Sequence, residues 1–248
     1  MPIDRSSAAG VNAVMAMRRS THGVSGSFMV RADDSGDYWC KVTNNPTSPR
    51  IPINEQIAGR LGIAIGVSVA TPALVRLDSL AGWEFHPGLH VEPGWAHGCV
   101  AVSGAFETRS LGHRNDDDNR RRHAGFYALM DWLAGADQQW LYSGTAHNAY
   151  FSHDHGHFFP GGPNWTPAAL AAVGTADRTL AVPPDGLDEA EVARLADAIG
   201  AISKDEIDAV MSNIPAEWPV GDDELAALSN FLEARQQPVA ERLRSLLP

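Results

Sequence analysis

Over the first forty or so residues, apolar and polar positions fall into three short runs. "VNAVMAMRRS" (11–20), "SFMVRADD" (27–34) and "DYWCKVT" (37–43) are rich in Val, Met and aromatic residues and read as strands. "THGVSGS" between the first two is a glycine-containing turn, and "DDSGD" between the second and third is a tight hairpin signal. Together they predict an antiparallel meander with a glycine loop at its first corner. After the loop "NNPTSPRIP" the period changes: Ile53, Ile57, Ala58 and Leu61 in "INEQIAGRLGI" have helical spacing. "VATPALVRL" predicts a further strand with Pro72 at its start, where a missing N–H is tolerated. "GWEFHPGLHVEPGW" (82–95) is too rich in Gly, Pro and His for regular structure, whereas "HGCVAVSGAF" (97–106) alternates as a strand does.

Further on, the charged "LGHRNDDDNRRR" (111–122) predicts a loop entering the helix "HAGFYALMDWLAGA", and "NAYFSHDHGHFF" reads as strand again. Beyond "PGGPNWTP" the composition shifts to Ala, Leu, Asp and Glu and predicts helices from about 188, 203 and 222. Two of them carry capping-box signatures, Asp188 with Glu191 and Ser203 with Glu206. Leu225, Leu228, Phe231 and Leu232 form an apolar stripe suited to a core. The chain is therefore β-rich first and helical later, with the junction near 95–110 and no internal repeat.

Composition narrows the classes. A chain of 248 residues is long enough for one large domain or two lobes around a shared cleft, and 44% apolar with 20% charged residues fits a globular protein. No run approaches the roughly 18 apolar residues of a membrane span. The N-terminal "MPIDRSSAAG" lacks the basic and apolar regions of a signal peptide, so the expected location is cytoplasmic, with no membrane partner. Two cysteines, Cys40 and Cys99, exclude a disulfide framework or a cysteine-rich zinc module. A net charge of −11 argues against direct nucleic-acid binding, because phosphate contacts need clustered Lys and Arg. The one basic cluster, Arg120 to Arg122, follows Asp116 to Asp118 and reads as a solvated helix start.

Four features carry candidate chemistry. Lys41 ends the third strand, and Glu55 lies in the following helix, where sheet packing can aim it back at the strand; such a pair holds ATP phosphates in kinase-type enzymes. Gly23 and Gly26 around Ser25 can offer backbone N–H groups to phosphates. Asp137 sits where the helix "HAGFYALMDWLAGA" gives way to a loop. Asp154 ends a strand in an Asp-x-Gly turn with Gly156, a placement suited to a hard cation such as Mg²⁺. Glycine hairpin, strand Lys, helix Glu, loop Asp and strand Asp-x-Gly follow in the order of parts of a protein-kinase-like enzyme.

These motifs, "GDYWCKVTNN", "INEQIAGRLG", "LAGADQQW" and "SHDHGHFFPG", resemble those of the HipA-like kinases, a bacterial branch of the protein-kinase-like fold. The resemblance spans about residues 11–165. It implies an α+β, two-lobed fold with an antiparallel N-lobe (1–95) and a mainly helical C-lobe (96–248). It further implies that Lys41 contacts ATP phosphates, Glu55 orients Lys41, and Asp137 accepts the proton of the attacking hydroxyl. Asp154 would bind Mg²⁺, the glycine loop would cover the phosphates, and segment 97–106 would be the hinge that meets the adenine. The acceptor would be a hydroxyl of a protein serine or threonine, or of a small molecule, with loops 82–95 and 111–122 as places for its contacts.

The catalytic loop departs from the kinase pattern. Tyr142 stands five residues after Asp137, where an Asn would be a second metal ligand, and Gln138 replaces the expected Arg or His; Gln139, Gln138 or Asn148 remain as sources of an amide oxygen. Two other readings stand beside the kinase. One is a nucleotide-binding pseudokinase or regulatory module. The other is a metal-dependent hydrolase built on His147, His153, His155 and His157 with Asp154, since alternate residues of a strand share a face.

Overall fold

The computed structural model describes Arg5 and residues 9–20, 26–177 and 183–248. Strands β1 (Val11–Arg19), β2 (Phe28–Ala32) and β3 (Asp37–Lys41) form the expected antiparallel meander. Helix α1 (Ile51–Ala64) follows, then β4 (Pro72–Arg76). After a short excursion, β7 (Trp95–Val100) inserts between β3 and β4, antiparallel to both. A short parallel pairing of β1 with β4 closes the five strands into a barrel. Its inside is packed by Phe28, Val30, Tyr38, Cys40, Val75 and Ala96, the inward half of each alternating strand.

Segment 82–95 is more regular than its composition suggests. β5 (Glu84–His86) and β6 (Leu89–His90) make a small hairpin, turned at Gly88 with φ +76°. Glu84 accepts from the Gly88 N–H at 3.0 Å, and Phe85 anchors the hairpin by packing on Phe28, ring centroids 5.3 Å apart. The expected strand 97–106 is two strands. β7 ends at Val100, residues 101–104 turn through Gly104 at φ +60°, and β8 (Ala105–Thr108) joins a second sheet. The turn is held on both sides: Ala101 N–H donates to Asp37 at 2.8 Å, and the Ser103 carbonyl accepts from Ser143 Oγ at 2.7 Å.

Helix α2 (Asn119–Trp132) starts four residues earlier than its apolar pattern indicates. Asn119 is the cause: buried, it donates to the carbonyls of His113 and Asn148 and accepts from Tyr150 N–H at 2.8 Å, tying the helix start to the second sheet. That sheet has the order β10-β9-β8, with β9 (Trp140–Ser143) and β10 (Ala149–Phe151) paired antiparallel. β10 is much shorter than "NAYFSHDHGHFF", because Asp154 takes a left-handed conformation (φ 53°) and starts a 3-10 turn over His155–His157. Helices α3 (Pro167–Val173), α4 (Glu189–Ala201), α5 (Lys204–Ser212) and α6 (Asp222–Arg244) complete the chain. Ser203 and Glu206 form a full capping box, whereas Asp188 caps α4 by accepting from Glu191 N–H at 2.8 Å. Helix α1 packs into the same large core as α2, α4 and α6, through Ile53, Ile57 and Leu61. Among the described residues, no helix is long and apolar enough to cross a membrane.

Candidate active site

Alternation along β3 puts Asp37, Trp39 and Lys41 on the outer face of the barrel, away from the packed interior. Helix α1 lies against that face at its Lys41 end, and the Asp154 turn closes on α1. Lys41 Nζ donates to Glu55 Oε1 and to Asp154 Oδ1, the latter at 2.5 Å. Glu55 Oε2 accepts from the backbone N–H of His155 at 2.8 Å. Three elements separated in sequence by 14 and 113 residues thus meet at one ammonium group. Gly156 makes the closure possible. A Cβ there would stand 2.9 Å from Ile51 Cδ1 and 3.4 Å from Glu55 Oε1, so its role is close approach rather than a positive φ.

The electrostatics follow from burial and pairing. Burial alone would depress the Lys41 ammonium, but the Asp154 and Glu55 carboxylates outweigh it and hold its pKa above the ordinary lysine value. Lys41 in turn holds Asp154 below the usual carboxylate range. Glu55 is pushed up by burial against the opposing pull of Lys41. The Asp154 side chain is 38% exposed while that of Glu55 is only 4% exposed.

Asp137 lies in the turn between α2 and β9, exposed, with φ 61°. It accepts from Gln139 Nε2 at 3.0 Å. The β9–β10 register sets Leu141 opposite Phe151, so 137–139 and 153–154 leave the hairpin at the same open end. Asn148 lies at the other end, where its amide donates to Asp116 at 2.9 Å, and is thereby removed as a ligand beside Asp154. Tyr142 is buried in β9, with its hydroxyl on the Gly112 carbonyl. Gln138 and Gln139 are both half-buried at the Asp154 end of the hairpin, and Gln139 is the one hydrogen-bonded to Asp137. A carboxylate with an amide oxygen is a hard oxygen donor set and fits Mg²⁺, which keeps much of its shell for water and phosphate.

Gly23 and Ser25 lie outside the described residues. Gly26 has φ +59° and is packed against Pro46 and Phe85. A cleft of about 560 Å³ opens on the barrel face that carries Asp37 and Trp39, lined by Met17, Arg18, Met29, Asp37 and residues 100–103. Its wall thus includes part of the segment 97–106 expected to be the hinge.

The histidines of "FSHDHGHFFPGG" separate. His155 Nε2 meets Ser152 Oγ at 2.8 Å, and burial pulls its pKa down to about 3. His153 Nε2 faces Glu107 at 3.4 Å, and His157 neighbours Gly162. A 3-10 turn does not alternate as a strand does, which dissolves the shared face. Among the described residues no three His, Cys, Asp or Glu side chains group to hold a metal by themselves. Two neighbours of Glu55 escaped the sequence reading. Gln56 meets Nδ1 of buried His97 at 2.9 Å, and Asn54 bonds the chain beyond Asp154. Their signal is the run Asn54-Glu55-Gln56 inside an otherwise apolar helix that is buried on every side over 51–59.

No family model matches the chain, and no curated protein matches it. Solved structures do. Shewanella oneidensis MR-1 HipA, in its complex with HipB and operator DNA, matches with TM-score 0.41 and 13% identity over 92% of this chain and 67% of that one. The Helicobacter pylori proinflammatory kinase CtkA matches with TM-score 0.64 and 10% identity, over 96% of this chain and 97% of that one. The α+β fold, with its five-stranded barrel and helical remainder, is similar to the fold of that kinase along nearly the whole of both chains.

Proposed function

We propose that the protein is an ATP- and Mg²⁺-dependent phosphotransferase that moves the γ-phosphoryl group to a hydroxyl, with a protein serine or threonine as the first acceptor to try. The observation that carries this reading is the Lys41–Glu55–Asp154 cluster, a buried cation set between two carboxylates at the end of β3 opposite the Asp37 cleft. Phosphoryl transfer needs positioning and charge stabilisation more than covalent chemistry. Lys41 would turn from Asp154 toward the phosphates while Glu55 keeps its ammonium in place. Asp154 and Gln139 would hold Mg²⁺, which neutralises phosphate charge when bound. The exposed carboxylate of Asp137 would accept the proton of the acceptor hydroxyl. The base would lie against residues 100–103 and Trp39, with the barrel, which runs through β7 to Val100 rather than ending at the expected 95, and the later, mainly helical part acting as the two lobes.

A second reading keeps nucleotide binding without transfer. It is favoured by Gln139, whose amide donates to Asp137 and so engages the base that transfer needs. The test is thermal unfolding with ATP and Mg²⁺, beside a radiolabel transfer assay on the protein itself and on supplied acceptors. The expected result is a raised melting temperature, by mass action on the native state, lost in Asp154→Ala, together with label transfer. A shift without transfer selects the pseudokinase, and no shift with any nucleotide overturns both.

A further inference from the structure

Of the three polar residues buried on α1, Asn54 has a hydrogen-bonding pattern that the phosphotransfer chemistry does not itself require. It is fully buried. Its Nδ2 donates to the carbonyls of Gly156 and Phe158, both at 2.9 Å, with the carbonyl of Gly162 at 3.2 Å. Its Oδ1 accepts from Trp165 Nε1 at 2.9 Å. A side-chain amide has two N–H donors and one acceptor oxygen, so both donors of Asn54 are engaged and its oxygen has a partner. Every one of these partners lies within eleven residues after Asp154. Arg50 of the turn before α1 adds a bond to the Trp165 carbonyl at 3.2 Å and stacks on the Trp165 ring.

We infer that Asn54 is a positioning residue: it fastens segment 156–165 to α1, so that the helix that sets Glu55 also sets where Asp154 stands. The inference rests on the reading that Asp154 holds the cation of a bound nucleotide. Within the helix, Asn54 and Glu55 divide the work. Glu55 takes the first N–H after Asp154, and Asn54 takes the carbonyls that follow. Without the amide those carbonyls have no donor in a dry interior, and the segment must shift to find water. The shift would move Asp154 and leave the base-binding cleft, formed by β1, β2 and residues 100–103, in place.

The test uses the full chain with Asn54→Asp, which keeps the acceptor for Trp165 and loses both donors, and Asn54→Ser, which decides if the buried acid prevents folding. Amide hydrogen exchange is read over 155–162, and Mn²⁺ binding in the presence of ADP is read by electron paramagnetic resonance. ADP binding in EDTA serves as the metal-free reference. The expected result is exchange at least tenfold faster over 155–162 with barrel strands unchanged. Mn²⁺ affinity should fall at least tenfold and metal-free ADP affinity stay within twofold. Wild-type exchange over 155–162 in a folded variant, or metal-bound and metal-free affinities falling together, overturns the inference. If the wild-type chain binds no Mn²⁺ with ADP, the phosphotransferase reading fails, and the exchange arm alone decides the role of Asn54.

Discussion

Glu55 receives the backbone N–H of His155 at 2.8 Å on one carboxylate oxygen while the other takes the Lys41 ammonium. A carboxylate can accept on both sides, but an amide of the same shape cannot. In Glu55→Gln one end must present N–H groups to another donor. We expect a destabilisation of about 1–3 kcal/mol, measured by urea unfolding, and at least a tenfold loss of phosphotransfer. Lys41→Met leaves two acids without their cation and should cost more, about 3–5 kcal/mol by the usual consequence of breaking a buried pair.

Asp137 is exposed and bonded only locally, so its removal should leave the fold intact. Asp137→Asn should lower kcat by about 10²–10⁴, the usual contribution of a general base, with KM for ATP within twofold. An unchanged kcat would remove Asp137 from the chemistry.

The two amides separated by the hairpin give a paired test. Gln139→Ala should weaken Mn²⁺ binding in the ADP complex severalfold, because Gln139 leaves the hairpin at the Asp154 end. Asn148→Ala should not change it, since Asn148 is held by Asp116 at the far end.

How legible was this site in the sequence? The strand lysine, the helix glutamate and the Asp-x-Gly turn stood out because each is a polar residue placed against a strong periodic pattern, and the structure brings those three together. The boundaries that failed did so where side chains override periodicity. Asn119 draws the start of α2 forward by satisfying three backbone groups, and Phe85 makes a hairpin of a segment full of Gly, Pro and His. The histidine tract misled because alternation holds only for extended chain, and the left-handed Asp154 ends the extension. Asn54 was hidden for another reason: its partners lie more than a hundred residues away, and nothing local announces them.

Gly156→Ala tests the close approach directly. Its Cβ would press on Ile51 Cδ1 at 2.9 Å and Cγ2 at 3.1 Å, inside ordinary contact distance. The expected cost is about 1–3 kcal/mol, as for other overpacked sites, measured by chemical unfolding. Weaker Mn²⁺ binding should accompany it, because the turn carries Asp154.

His123 gives a pH prediction remote from the site. Buried among Trp140, Tyr142 and Tyr150, its pKa is pulled down by burial to about 4, with Arg114 adding to the shift. Between that value and the ordinary 6.5, the unfolded chain binds a proton that the folded chain refuses. Stability is therefore fully present above about pH 6.5 and declines as the pH falls towards 4, by about 3 kcal/mol from this residue. His123→Phe should flatten that part of the profile, measured as unfolding free energy at several pH values.

The closed barrel has a mechanical consequence. An open sheet can shear at an edge strand, but in a ring every strand is held on both sides, here down to the short β1–β4 seam. Lys41 is laced to β7 by its pairing with His97, and β7 runs directly into the turn that lines the cleft. A swing of the Lys41 backbone away from Asp154 would therefore take the whole ring with it, Lys41 and Val100 moving together as one jaw.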